Sequence, residues 1–148
     1  NIVGNVFDGN GAPVSDAMLE LWQANAKGVY TKIIKRENEG FKGFGRLGTG
    51  VDPNSRFRFL TIKPGVTVLH QAPHIDVILF MRGSLHQLNT RIYFSDETEA
   101  NAKDELLMAV PEERRQTLIA RAAKNQGVQE YLFDIHMQGT KETVFFEL

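Results

Sequence analysis

Apolar and polar residues alternate along several short segments of the chain, which is the pattern of half-buried β-strands. In residues 56–62, Phe57 and Phe59 fall on one face and two arginines on the other. Similar patterns occupy residues 1–7, 17–23, 74–82, 88–94, 117–123, 130–137 and 143–148. Residues 74–82 are apolar on both faces, so we predict a central strand there.

Turn-forming residues separate these segments. An Asp-Gly-Asn-Gly run at residues 8–11 predicts that the first two strands pair through a turn, and Asn-Gln-Gly at 125–127 predicts a second hairpin. Residues 97–108 and those after Pro111 predict short helices, and the glycine-punctuated residues 25–50 predict a long loop. The predicted fold class is all-β: a β-sandwich of two mostly antiparallel sheets with short helical connections.

The composition is that of an ordinary globular protein, with 148 residues, 42% hydrophobic and 24% charged. We expect residues 1–148 to form a single domain. Because the chain begins at Asn1 directly in strand-like sequence, we also expect an N-terminal arm to be missing. A net charge of −1 and the lack of a long apolar run favour neither nucleic acid nor a membrane as a partner, and we expect a cytoplasmic protein.

The chain contains no cysteine, which excludes a thiolate metal site and a cysteine nucleophile. The first candidate for chemistry is the pair His74 and Asp76, since residues i and i+2 of a strand share one face. With His136 from a distant strand, they would make the two-His, one-carboxylate set of an Fe(II) oxygenase. The structural alternative is that Asp76 only holds the tautomer of His74 through a hydrogen bond.

Two arginines are further candidates. Arg46 follows two glycines in the segment 43–46, where it could bind a carboxylate or simply anchor the loop to a nearby acid. Arg82 ends the apolar strand at residues 74–82, where a guanidinium could meet an anion, a partner surface or a surface acid of the same chain.

Several segments in the same order resemble the intradiol ring-cleavage dioxygenases. They are DGNGAPVSDA at 8–17, LELWQAN at 19–25, GFGR at 43–46, TIKPG at 61–65, APHI at 72–75, TRIYF at 90–94, FDIHMQG at 133–139 and ETVFF at 142–146. The resemblance implies a β-sandwich. It also implies a reaction in which O₂ cleaves a catechol ring between its two hydroxylated carbons to give a cis,cis-muconate, at an Fe(III) ion held by two tyrosines and two histidines.

The matching positions depart from that ligand set. His74 matches one of the two family histidines, but Asp76 stands where the second would be. Thr67 and its neighbour Val66 occupy the stretch where a tyrosine ligand is expected, and we interpret Tyr30 as a non-ligand position. Thr67, His74 and Asp76 therefore outline a vestigial pocket, and we expect no metal bound by this chain.

The resemblance then implies a non-iron-binding alpha-type subunit, without catalytic residues of its own. Its partner would be an iron-bearing beta-type chain of the same fold, in a hetero-oligomer of many such pairs that carries Fe(III) only on the partner. Arg82 would bind the carboxylate of a small aromatic substrate at the partner's site. The alternatives are an independent Fe(II) oxygenase using His74, Asp76 and His136, or a non-enzymatic binding or assembly module.

Overall fold

The computed structural model describes residues 1–31 and 40–147, in which strands predominate, as the alternating pattern predicted. The strands are β1 (Ile2–Phe7), β2 (Met18–Gln23), β3 (Phe44–Gly48), β4 (Arg56–Phe59), β5 (His74–Phe80), β6 (Leu88–Phe94), β7 (Ile119–Asn125), β8 (Val128–Leu132) and β9 (Ile135–His136). Short helices α1 (Thr98–Asn101), α2 (Glu105–Ala109) and α3 (Glu112–Arg115) connect β6 to β7. Single 3₁₀ turns lie at Thr49–Val51 and Gln116–Leu118.

The strands hydrogen-bond in the order β3-β2-β5-β6-β7-β8-β1-β4, with β9 beside β1. Most neighbours are antiparallel, while β6–β7, β1–β8 and β1–β9 are parallel. The two ends of this order meet, because a Cβ added to Gly45 on β3 would lie 3.1 Å from the ring of Phe59 on β4. The sheet therefore folds over on itself, and the predicted all-β class is confirmed.

The core lies between the two halves of the folded sheet. One half contributes inner-face side chains from β2, β5 and β6, and the other contributes them from β1, β4, β8–β9 and the segment between them. The most deeply buried of these residues are Ile2, Val6, Leu19, Phe57, Ile75, Val77, Leu79, Ile92, Phe94 and Ile135. Burial of this apolar area is the main term that holds the two layers together.

The predicted pairing of the first two strands is wrong. The turn itself forms, because the Asp8 carboxylate accepts the backbone N–H groups of Asn10 and Ala12, and Val14 N–H donates to the Val6 carbonyl. After this turn the chain crosses to the other layer of the folded sheet. β1 pairs with β4, β8 and β9, whereas β2 pairs with β3 and β5.

A strand lies within residues 25–50, where only a loop was predicted. β3 is an edge strand paired with β2, and no apolar alternation marks it because Phe44 and Arg46, which share a face, are one apolar and one charged residue. Backbone hydrogen bonds to β2 hold it in the sheet, and Leu47 packs against the core. At the other end of the chain, the predicted strand at 143–148 is reduced, within the described residues, to a single bridge between Phe146 and Asn89.

The prediction for the central strand is right in position and only partly right in burial. β5 lies between β2 and β6, and its inner-face residues Ile75, Val77 and Leu79 are fully buried. On its outer face, Asp76 and Ile78 are only half-buried. That outer face carries the polar residues of the candidate site.

No helix in the described part of the chain is both long enough and apolar enough to cross a membrane.

We predict that Gly4→Ala destabilises the fold by about 2 kcal/mol, within the range for overpacking a filled interior. A Cβ at Gly4 would lie 1.7 Å from the Phe133 carbonyl oxygen, so β1 and the segment after β8 would have to separate. Gly48→Ala is the matched control, because its new Cβ meets nothing closer than 3.7 Å and φ there is −90°. Urea unfolding measures both variants, and equal stabilities would contradict the close approach.

Candidate functional site

Antiparallel pairing of β5 with β6 sets four polar side chains on the outer face of the sheet. His74 lies opposite Tyr93, and Asp76 lies opposite Arg91. The four share one face because side chains two residues apart point the same way, while Ile75 between them points into the core. We call His74, Asp76, Arg91 and Tyr93 the β5–β6 array.

Arg91 and Asp76 form the ion pair of the array. Arg91 Nε donates to Asp76 Oδ1 at 2.8 Å, and the arginine side chain is only 16% exposed. Burial alone would lower the pKa of Arg91, but the charge of Asp76 and the nearby phenol of Tyr93 outweigh it and raise that pKa. The guanidinium is therefore held charged against the carboxylate, and the two charges compensate each other.

His74 is a buried, neutral imidazole. Its Nδ1 lies 2.7 Å from the Ala72 carbonyl oxygen, which can only accept a hydrogen bond, so Nδ1 carries the proton. Nε2 lies 3.9 Å from Asp76 Oδ2, too far for a hydrogen bond. The expected tautomer-holding contact is thus made by Ala72 and not by Asp76. Burial, reinforced by the charge of Arg91, lowers the pKa of His74 despite the opposing influence of the Ala72 carbonyl and Asp76.

Tyr93 is held as a neutral phenol by a buried carboxylate that the sequence did not single out. Its hydroxyl donates to Asp104 Oδ1 at 2.9 Å. Asp104 is fully buried, caps α2 by accepting the Leu107 N–H, and accepts the Ala72 N–H at 2.8 Å. Burial, together with the charge of Asp104, raises the pKa of Tyr93 against the opposing effect of Arg91.

Tyr30, interpreted from the sequence as a non-ligand, shares this environment. Burial and the charge of Asp76 raise the pKa of its phenol, and Arg91 partly offsets them. The charges of Asp76 and Arg91 therefore both affect the pKa of Tyr30. No local pattern in the sequence links residue 30 to residues 76 and 91, because the link depends on how the loop after β2 returns to the sheet.

A cavity of about 380 Å³ opens beside the ion pair on the outer face. Its lining includes Trp22 on β2, Ile78 on β5 and Phe146 near the end of the chain, together with Asp76 and Arg91. The lining is mostly apolar, and Arg91, the one cation among its described residues, is already paired with Asp76.

The other predicted site residues lie apart from the array. The Thr67 hydroxyl donates to the Gln71 side-chain oxygen, and among the described residues no hydrogen bond joins it to His74 or Asp76. Arg82 follows the far end of β5, a strand about 20 Å long at ~3.3 Å per residue. Its side chain is 87% exposed and pairs with Asp16 through Nε and Oδ2 at 3.1 Å.

The structure contradicts the Fe(II) hypothesis. His136 lies on β9 beside β1, stacked on the ring of Phe7 with centroids 5.0 Å apart, and not on the face that holds His74 and Asp76. Across residues 1–31 and 40–147, no three His, Cys, Asp or Glu side chains are grouped so that they could hold a metal ion.

Arg46 anchors the edge strand to its neighbour. Its Nε donates to the Glu20 carboxylate at 2.8 Å, and its guanidinium lies 5.7 Å from the centre of the Phe44 ring. Glu20 and Arg46 are directly opposite each other on β2 and β3. Of the two roles open from the sequence, the structure shows the structural one.

Comparison with known proteins identifies the family to which the chain belongs. The family model described as "Dioxygenase" matches residues 1–139. Among solved structures, the dioxygenase domain of a carbohydrate-binding fusion from Streptomyces sp. SirexAA-E superposes with a TM-score of 0.70 at 25% identity, over 97% of this chain and 79% of that one. The chain belongs to the intradiol ring-cleavage dioxygenase family.

Within that family, the chain is similar to protocatechuate 3,4-dioxygenase alpha chains. It is 48% identical to the one from Burkholderia cepacia and 44% identical to the one from Pseudomonas putida, over 99% of this chain and 76% and 74% of theirs. It is 33% identical to the protocatechuate 3,4-dioxygenase beta chain of Burkholderia cepacia, over 96% of this chain and 65% of that one.

The family is iron-dependent, but the residues of the array do not fit a ferric ion. Such an ion prefers anionic oxygen donors, whereas the one phenol of the array, Tyr93, donates its hydroxyl proton to the buried Asp104 carboxylate. The one carboxylate, Asp76, is already neutralised by Arg91. Only His74 retains a lone pair, on Nε2, that is free to bind a metal ion.

We predict that the stability of the chain falls as the pH decreases below about 6.5, the ordinary pKa of histidine. Because the folded-state pKa of His74 is depressed, the unfolded chain protonates this histidine first as the pH falls. The contribution of neutral His74 to stability is therefore fully present above pH 6.5 and is lost on acidification. His74→Gln should flatten the slope of unfolding free energy between pH 7 and 5. His86→Gln, at an exposed turn, is the matched control and should keep the slope.

Proposed function

We propose that the chain is the non-catalytic, alpha-type subunit of a protocatechuate 3,4-dioxygenase, and that residues 1–148 form one β-sandwich domain of it. The observation that supports this most directly is the 48% and 44% identity to two such alpha chains over nearly the whole of this chain. Its partner is a beta-type chain of the same family, and the substrate is the carboxylated catechol named in those relatives.

In this proposal the Fe(III) ion belongs to the beta-type partner, and the alpha-type chain binds none. The support is chemical: Asp76 is already paired with Arg91, Tyr93 is hydrogen-bonded to Asp104, and His74 is the only imidazole in the array. The ring cleavage therefore takes place on the partner, and this chain stabilises the assembly and shapes the substrate entrance.

Arg82 is the residue we propose to act at the partner's site. Its guanidinium is exposed beyond the end of β5 and lies a strand's length from His74, so it is placed to meet a neighbouring molecule rather than this chain's own pocket. Asp16 would hold the side chain extended until a substrate carboxylate competes for it. A planar guanidinium suits bidentate binding of that carboxylate.

The distribution of iron tests the central claim. We expect metal analysis of the co-expressed oligomer to give one iron per beta-type chain and none attributable to this chain. Purified without its partner, this chain should show neither stoichiometric iron nor a phenolate-to-Fe(III) absorption band. An iron content equal to the total number of chains would refute the proposal, and failure to co-purify with any beta-type chain would support an assembly module instead.

We predict that Arg82→Ala raises KM for protocatechuate in the mixed oligomer by roughly 10- to 100-fold, the loss of one charge-assisted contact of about 1.5–3 kcal/mol. The iron content should not change. Steady-state kinetics with catechol, which has no carboxylate, is the matched substrate control and should show little effect of the substitution.

A variant control separates this effect from a general loss of surface charge. Arg56→Ala removes another exposed guanidinium, one that lies on β4 at 4.0 Å from Asp52. This variant should leave KM unchanged for both protocatechuate and catechol. If Arg82→Ala changed neither KM, or changed both equally, Arg82 would have no role in binding the carboxylate.

A further inference from the structure

We propose that Arg91 is the resident cation of the β5–β6 array: its guanidinium neutralises Asp76 and keeps metal ions away from the His74–Asp76 pair. The proposal goes beyond the assignment of the chain to an alpha-type subunit. It rests on the proposed function in taking this chain to bind no iron, and it gives a physical reason why an array with a carboxylate and an imidazole side by side would not bind a metal.

The geometry of the pair carries the first step. Arg91 and Asp76 are direct cross-strand partners, and their 2.8 Å contact involves a side chain that is largely withdrawn from solvent. Among residues 1–31 and 40–147, no side chain other than Arg91 donates a hydrogen bond to the Asp76 carboxylate. The compensation of this carboxylate therefore depends on one guanidinium.

The second step concerns what the pair would offer without Arg91. His74 Nε2 bears a lone pair and lies 3.9 Å from Asp76 Oδ2. Two ligands of one tetrahedral Zn²⁺, each about 2 Å from the ion, lie roughly 3.3 Å apart, so a small side-chain adjustment would let both bind the same ion. Imidazole nitrogen and carboxylate oxygen are both ordinary Zn²⁺ ligands.

The third step is electrostatic. An ion bound to Asp76 would stand within about 5 Å of a guanidinium bonded to the same carboxylate, and the two positive charges would repel each other in a partly desolvated site. Asp76 and Arg91 line the cavity beside the pair, whereas His74 is buried and does not line it, so an ion entering the cavity would meet the Arg91 guanidinium where it reaches Asp76. The positive charge at that point is the barrier in this inference.

Isothermal titration of the complete, iron-loaded oligomer with Zn²⁺ tests the inference. We expect the Arg91→Gln oligomer to bind one more Zn²⁺ per alpha-type chain than the wild type does. Its affinity for this ion should be at least tenfold higher than that of any corresponding site in the wild type. Adding His74→Ala to that variant should abolish the gain. Equal Zn²⁺ affinity of wild type and Arg91→Gln would overturn the inference, and so would a gain that survives His74→Ala.

Two further variants separate charge from shape. Arg91→Lys keeps a cation of different geometry and should show no gain, so a gain equal to that of Arg91→Gln would overturn the role of charge. Arg56→Gln removes a surface guanidinium near Asp52 and should likewise show none. Iron content and activity, measured beside each titration, report on the proposed function separately, because they depend on the partner's site.

The loss of Arg91 leaves a half-buried carboxylate unpaired, so Arg91→Gln could fail to fold. Arg91→Met, an unbranched apolar chain beside Trp22 and Phe146, is a second neutral variant for the same titration. If neither folds, the double variant Asp76→Asn/Arg91→Gln decides. Recovery of folding on removing both charges supports the inference, and persistent unfolding overturns it, because Arg91 would then act other than by neutralising Asp76.

Discussion

The antiparallel register between β5 and β6 is the constraint on which the rest of the site depends. It sets Asp76 opposite Arg91 and His74 opposite Tyr93 on the outer face. A slip of one residue would turn the whole polar set into the core. The buried inner-face residues Ile75, Val77 and Leu79 prevent that slip, so the same apolar contacts that join the two layers also hold the polar array in place.

Each polar group of the array has a counterpart within the chain. The Asp76 carboxylate has the guanidinium of Arg91, the Tyr93 hydroxyl has Asp104, and His74 Nδ1 has the Ala72 carbonyl. Burying such groups is tolerable because they are paired. A site whose charges already compensate has little need of a metal ion, which agrees with the proposed supporting role of this chain.

The two ends of β5 carry different features. Near His74 the side chains are buried or half-buried and their polar groups are paired within the chain, whereas beyond Phe80 the chain turns at Gly83 and leaves Arg82 exposed. Arg82 is held only by the surface carboxylate of Asp16, a kind of pair that contributes little to stability and exchanges readily. An arginine in such a position contributes little to the stability of this chain, and that is why we propose it for the substrate entrance of the partner.

The sequence by itself determined most of the strands with alternating residues, the turn at 8–11, the all-β class and the family, because each depends on local pattern or on motifs in order. It also placed His74 beside Asp76, since residues i and i+2 share a face. Only the tertiary structure decided that Arg91 faces Asp76, that His136 lies elsewhere, and that β1 and β2 belong to different pairings. Strand partners and register depend on contacts between residues far apart in the chain, which no local pattern encodes.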